Sequence, residues 1–157
     1  MKMTLFIDGA SRGNPGRAAI GVALYDEQGL PLKEIGVAIG IATNNLAEYV
    51  ALLYGLQEVL LLVKEKKGEK ESHLELTVYS DSELLINQMS GRYRVKNDDI
   101  RRLHLLAQHL ISGLGKVSFE KISHDENRKA DQLANGALYE SKNGGEATTV
   151  TEGQVGN

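Results

Sequence analysis

Met3-Thr4-Leu5-Phe6-Ile7-Asp8-Gly9-Ala10-Ser11-Arg12-Gly13-Asn14-Pro15-Gly16 decides how the chain is read. A strand-forming apolar run ends on an aspartate, and glycines, an asparagine and a proline follow. An ionised carboxylate closing an apolar run is costly to desolvate unless something pairs with it. A hard divalent cation is one such partner, because Mg²⁺ takes oxygen ligands and leaves positions for water and substrate phosphate. Residues 2–8 therefore read as a strand that delivers Asp8 to a site, and residues 9–17 as a glycine-rich turn.

Working outward, residues 18–25 and 32–39 are β-rich runs joined through Asp26-Glu27-Gln28-Gly29, which makes the first three strands antiparallel. Ala42-Thr43-Asn44-Asn45 offers an N-cap for a long helix over about 45–66, with Leu46, Val50, Leu53, Leu56, Leu60 and Val63 at helical spacing. Residues 74–79 alternate into a strand that stops at Ser80-Asp81. A short helix is expected at 83–89, a second at about 98–113 capped by Asn97, a last strand at 117–122 and a last helix at 127–140. The order βββ-α-β-α-α-β-α predicts an α/β fold: a five-stranded mixed sheet, three antiparallel strands and then parallel ones, flanked by helices. Residues 1–142 read as one domain. Residues 143–157, polar and without apolar periodicity, read as a disordered tail, and the charge-mixed run 64–72 as a solvated helix end and loop.

Bulk properties remove several classes. With 157 residues, 41% hydrophobic and 25% charged, the chain has ordinary globular composition and enough length for a core without staples. It has no cysteine, which excludes disulfides, thiolate metal sites and a cysteine nucleophile. The N-terminus has no signal-peptide pattern, and the apolar stretch near Val59 to Val63 is far too short to span a bilayer. The expectation is a soluble, cytoplasmic, monomeric protein with no membrane partner. A formal charge of −3 argues against holding nucleic acid by bulk electrostatics and leaves that task to local patches.

Three further acids share Asp8's peculiarity. Asp81 ends the fourth strand, where a lone Asp also serves as a helix N-cap. Glu48 lies one turn into the long helix between Ala47 and Tyr49, and Asp131 lies near the start of the last helix. If strands one and four are parallel neighbours, their ends meet at one sheet edge, where α/β folds place ligands. Four acids converging there suit two divalent ions on either side of a scissile phosphate.

These residues carry a resemblance. Asp8 to Gly16, Thr43-Asn44-Asn45 with Glu48, Ser80-Asp81-Ser82, and Glu126-Asn127 with Ala130-Asp131-Gln132-Leu133-Ala134 together resemble the ribonuclease H type 1 family. The resemblance spans residues 3 to about 140. It implies a ribonuclease H-like fold and an endonuclease that hydrolyses the RNA strand of an RNA/DNA hybrid, with two Mg²⁺ or Mn²⁺ ions per site, leaving 5′-phosphate and 3′-hydroxyl ends. Asp8, Glu48, Asp81 and Asp131 are the implied metal ligands, with Asp8 and Asp81 near both ions. His124 stands where the family commonly carries a mobile histidine that helps proton transfer or product release; otherwise it is a solvated loop residue. Small residues at Gly9 and Ser11 would let backbone approach the ribose, whose 2′-hydroxyl distinguishes RNA from DNA. Asn14, Asn44 and Asn45 resemble the family's base-edge and sugar contacts, and Thr43 its contact to a DNA phosphate. The alternative is that Asn44 and Asn45 are mere capping residues.

The chain departs from the family in two places. It has no tryptophan and only a short link from Met89 to Asn97, so it lacks the basic handle of many bacterial members. Arg92, Tyr93, Arg94 and Lys96 in that region are either a reduced grip on substrate phosphates or a solvated loop. Ile41 stands where the family often has an arginine, which implies looser discrimination for the DNA strand and some activity on RNA/RNA duplexes. The rivals are a non-catalytic nucleic-acid-binding module on the same fold and another nuclease of the superfamily, such as a junction resolvase. Retention of all four acids disfavours the first, and Thr43-Asn44-Asn45 with the Asp8-to-Gly16 segment disfavours the second.

Overall fold

The computed structural model describes residues 1–65, 73–142 and 148–153. Strands β1 (Lys2–Gly13), β2 (Gly16–Tyr25) and β3 (Pro31–Ala42) lead into helix α1 (Asn44–Glu65) and strand β4 (Glu75–Ser80). Helices α2 (Glu83–Met89) and α3 (Asp98–Ser112), strand β5 (Lys116–Lys121), helix α4 (Arg128–Lys142) and strand β6 (Thr148–Glu152) follow. The sheet runs β5-β4-β1-β2-β3-β6. β1, β2, β3 and β6 pair antiparallel, while β4 runs parallel to both β1 and β5.

The mixed sheet flanked by helices is the expected class, but it has six strands where five were expected. β6 lies inside the segment read as a disordered tail. Its Thr, Val and Glu side chains are exposed, so no apolar pattern announced it. Backbone pairing of Val150 with Ile35 holds it, and Lys33 bridges Glu152 at 3.2 Å and Glu58 at 3.0 Å. Residues 143–147 and 154–157 of that segment, and 66–72 of the charged run, lie outside the described residues.

A second difference concerns residues 9–17, read as a turn. β1 and β2 instead stay paired to Gly13 and Gly16, so that only Asn14 and Pro15, joined by a cis peptide bond, lie between the strands. Gly13 has φ +106°, a conformation open to glycine and strained for other residues. Breaker-type residues are here tolerated by a strand whose neighbour continues the ladder.

Alternation along β1 separates two faces. Leu5, Ile7 and Gly9 face α1: a Cβ at Gly55 of α1 would stand 2.7 Å from Leu5, and one at Gly9 would stand 2.7 Å from Ala47. α1 thus meets the sheet through Ala47, Ala51, Leu52, Gly55, Leu56 and Val59, all buried. Of the six positions expected to form that face only Leu56 is fully buried, because the helix is apolar nearly all round and its small residues mark the sheet side. By length and composition α1 is also long and apolar enough to cross a membrane, which the stretch near Val59 to Val63 alone did not announce. Its buried face makes it the central helix of the larger core, which also takes in Met3, Ile20, Val22, Leu76, Val78 and Leu85.

The opposite face is built from small residues. Ala10 of β1 and Ala19 of β2 pack beneath Ala137 and Leu138 of α4. A Cβ at Gly21 would fall 1.9 Å from the Ala130 carbonyl oxygen, and one at Gly36 would fall 2.5 Å from that of Leu133. The backbone of α4 therefore rests directly on the sheet. That contact sets where the first turn of α4 stands.

Candidate active site

Asp8 pairs with Gly21 across the β1–β2 ladder, so its side chain lies on the α4 face beside the glycine that carries Ala130. Asp131, the next residue, is thereby brought to Asp8. Ser80 ends β4, next to β1, and places Asp81 at the same edge. Thr43 starts α1: its Oγ1 accepts from the Leu46 amide at 3.1 Å, and Glu48 follows on the first turn, nearly buried. The four acids line one cleft of about 280 Å³ together with Gly9, Ser11, Asn44 and His124.

Ligand oxygens of Asp8, Glu48 and Asp81 all lie within 4.8 Å of one another. Burial, and then the neighbouring Glu48 and Asp81 carboxylates, push the Asp8 pKa well above its ordinary range. Burial and then Asp81 raise that of Glu48, partly offset by the Gly9 amide. Like charges this close cannot all ionise without a counter-charge. Glu48 Oε2 is buried and has no hydrogen-bond partner among the described residues. A cluster of oxygen donors with an orphaned carboxylate oxygen fits a hard divalent cation, and no cysteine competes for a softer one.

Asp131 stands outside that tight trio, though still against Asp8. Asn135, one turn on, donates Nδ2 to the Asp131 side chain at 2.9 Å and to its carbonyl at 3.0 Å. His124 bridges the margin, with Nδ1 3.3 Å from Asp81 Oδ2 and Nε2 3.9 Å from Asp131 Oδ2. Its side chain is 69% exposed. Asp81 is not the helix cap that the sequence allowed. Ser82 Oγ caps α2 by accepting from the Leu85 amide, and Ser80 Oγ accepts from Ser82 N, which leaves the Asp81 carboxylate to the cleft.

The other expected contacts divide into two groups. Asn14 Oδ1 accepts from the Asn44 amide at 3.0 Å, and Ser11 Oγ donates to the Ala42 carbonyl at 3.1 Å and to that of Gly13. These bonds tie the β1–β2 hairpin to the start of α1. Asn45 faces a separate cleft of about 590 Å³ with Arg92, Tyr93, Arg94 and Lys96. Asn44 and Asn45 thus point into adjoining clefts, one acidic and one basic.

Four contributors escaped the sequence reading. Gly21 and Gly36 look like ordinary strand residues until a helix is laid on them. Asn127, quoted as part of a motif but given no role, is buried and donates Nδ2 to the Ile7 carbonyl at 2.8 Å, pinning the segment before α4 to the residue preceding Asp8. The i, i+4 spacing of Asp131 and Asn135 was the one available signal for Asn135.

A family model described as reverse transcriptase-like matches residues 6–137. The bifunctional protein Rv2228c of Mycobacterium tuberculosis is 40% identical over 139 residues, covering 88% of this chain and 36% of that protein. The chain therefore spans about a third of the length of the first curated relatives it matches. The crystal structure of RNase H1 from the halophilic archaeon Halobacterium salinarum is similar at 34% identity and a TM-score of 0.80, covering 89% of this chain and 99% of that one. LC11-RNase H1, solved in complex with an RNA/DNA hybrid, is similar at 35% identity and a TM-score of 0.81, again covering 89% and 99%. Matched along its folded length by the family model and by these structures, with the acids gathered at one sheet edge, the chain belongs to the ribonuclease H type 1 family of reverse transcriptase-like domains.

Proposed function

We propose that the protein hydrolyses the RNA strand of RNA/DNA hybrids, giving 5′-phosphate and 3′-hydroxyl ends, with Mg²⁺ or Mn²⁺ bound by Asp8, Glu48, Asp81 and Asp131. The observation that carries this reading is the trio Asp8, Glu48 and Asp81, whose oxygens lie within 4.8 Å of one another around an orphaned Glu48 oxygen. When bound, the cations supply a water of lowered pKa and stabilise charge on the departing 3′-oxygen.

The protein's own part is positioning and proton traffic. Asp8, on a central strand of the sheet, sets where the reacting phosphate stands. Glu48 and Asp131 approach it from helices on opposite faces of the sheet. His124, exposed and touching Asp81, carries a proton between the phosphate and solvent. Asn14, Ser11 and Gly9 form a lip against which a ribose 2′-hydroxyl is read. Thr43 and Asn44 engage the duplex beside the acids, and Asn45, Arg92 and Arg94 hold backbone phosphates in the adjoining basic cleft. Near the end of β3, Ile41 is 69% exposed and presents no charge to a DNA phosphate.

The test is a substrate panel. Incubated with Mg²⁺, with Mn²⁺ or with chelator, the protein should cut the RNA of a labelled hybrid, leave single-stranded and duplex DNA intact, and do nothing in chelator. Cleavage that persists in chelator, or products with 3′-phosphate ends, would overturn the reading.

A further inference from the structure

Beyond the acids, along the same strand, lies a cleft of about 400 Å³ lined by Arg12, Arg17, Leu138, Tyr139 and Lys142. Three cations line it and no acid does. Arg12 and Arg17 are directly opposed across the β1–β2 ladder, an arrangement that places both side chains on one face. Like charges opposed in this way are destabilising unless an anion joins them. None of the three makes a side-chain hydrogen bond or ion pair among the described residues, and Arg17 Nη1 is buried without a partner. A buried guanidinium nitrogen with nothing to donate to is expensive, and it is made good when an acceptor enters.

The position of this cleft tells what the acceptor is. Asp8, Ala10 and Arg12 alternate onto the same face of β1, so Arg12 stands roughly 13 Å beyond Asp8. Arg12 and Leu138 line both this cleft and the acid cleft, so the two adjoin. The basic cleft at Arg92 and Arg94 adjoins the acids at the other end, through Asn44 and Asn45. A polyanion lying across the acids is therefore met by cations on both sides.

We propose that Arg12, Arg17 and Lys142 form a second phosphate site, which grips the nucleic-acid backbone a few nucleotides from the cleavage point. The identity of the polyanion rests on the hybrid-nuclease reading; the anion site itself does not. Phosphate contacts position a duplex without reading its sequence. The site therefore acts on binding and leaves the chemical step alone.

The experiment compares the full chain with Arg12→Ala/Lys142→Ala, both exposed residues, and separately with Arg17→Gln. Binding of an RNA/DNA hybrid is followed by anisotropy in chelator across a salt series, and cleavage is measured with Mg²⁺. Each phosphate contact contributes about 0.9 to the slope of log K against log salt. The double variant should flatten that slope by about 2, weaken low-salt binding by about tenfold and raise KM, with kcat near that of the parent. Arg17→Gln should shift slope and KM in the same direction, and the double variant should melt no lower than the parent. Variants with the parent's slope and KM while the parent cleaves hybrid would overturn the phosphate site alone. A flattened slope in a protein that cleaves no hybrid would leave the site standing and sink the nuclease reading.

Discussion

Gly21 of β2 stands beside Asp8 of β1, and the Ala130 carbonyl of α4 occupies the space that any larger side chain at position 21 would need. The separation of Asp131 from Asp8 is thus set by the absence of a methyl group. Gly21→Ala should push α4 off the sheet and cost about 1–3 kcal/mol of stability. It should also lower cleavage while leaving hybrid binding in chelator nearly unchanged. Gly136 provides the contrast, since a Cβ there meets nothing within 4 Å. Gly136→Ala should raise stability by about 0.5–1 kcal/mol, as expected at an exposed helix position, with activity intact. Thermal melts and a single-turnover assay on both variants check the pair.

The raised pKa values of Asp8 and Glu48 have a definite sign. The ordinary values are 3.8 for Asp and 4.5 for Glu, and both groups hold their protons to higher pH in the folded protein. Their contribution to stability is therefore complete below about pH 4 and is lost as pH rises toward the folded-state values. Metal-free protein should lose stability across that window, and Asp8→Asn should remove much of the loss, gaining on the order of 1–2 kcal/mol at pH 8. Urea titrations in chelator at pH 5 and pH 8 read this directly. Equal pH dependence in parent and variant would contradict it.

Cation binding should show the same linkage from the other side. A divalent ion competes with protons on Asp8 and Glu48, so affinity should rise with pH and binding should release protons. Calorimetry in two buffers of different ionisation enthalpy measures the release. Affinity that is flat between pH 6 and pH 9 would mean the carboxylates are already ionised without the ion.

His124 touches Asp81 and points its other nitrogen toward Asp131. His124→Ala should reduce kcat by about 10²-fold with little change in KM, the signature of lost proton transfer. A variant that changes KM alone would make the histidine a substrate contact instead.

Ile41, the penultimate residue of β3, is exposed two places before Thr43 and would offer a bound DNA strand no charge. Detectable cleavage of duplex RNA at high enzyme is the expected outcome, and Ile41→Arg should reduce it relative to hybrid cleavage. Undetectable duplex RNA cleavage by the parent would count against this account of strand discrimination.

Much of this architecture was legible in the residues themselves. Asp8 after an apolar run, Asp81 after an alternating one, and the Thr43 and Asn97 caps all signal locally, through desolvation cost, period or side-chain hydrogen bonding. What stayed hidden depends on a neighbour. The strand through Gly13 exists because β2 continues its ladder. The buried face of α1 could not be found by period, since Leu46, Val50 and Leu53 compete with Ala47, Ala51 and Gly55 and only sheet contact separates them. β6 is held by backbone pairing that polar side chains do not advertise. Gly21 and Gly36 carry meaning only once a helix lies on them. Asp131 was legible as an acid in a motif, whereas its place at the margin of the trio required the register of β1 against β2.

The most direct test of the central claim is single-turnover cleavage of a hybrid with a labelled RNA strand in Mg²⁺, comparing the parent with Asp8→Asn. The account predicts that Asp8→Asn, folded and at least as stable as the parent, binds the hybrid yet fails to cut it, and that chelator silences the parent. Cleavage by Asp8→Asn at the parent's rate would contradict it.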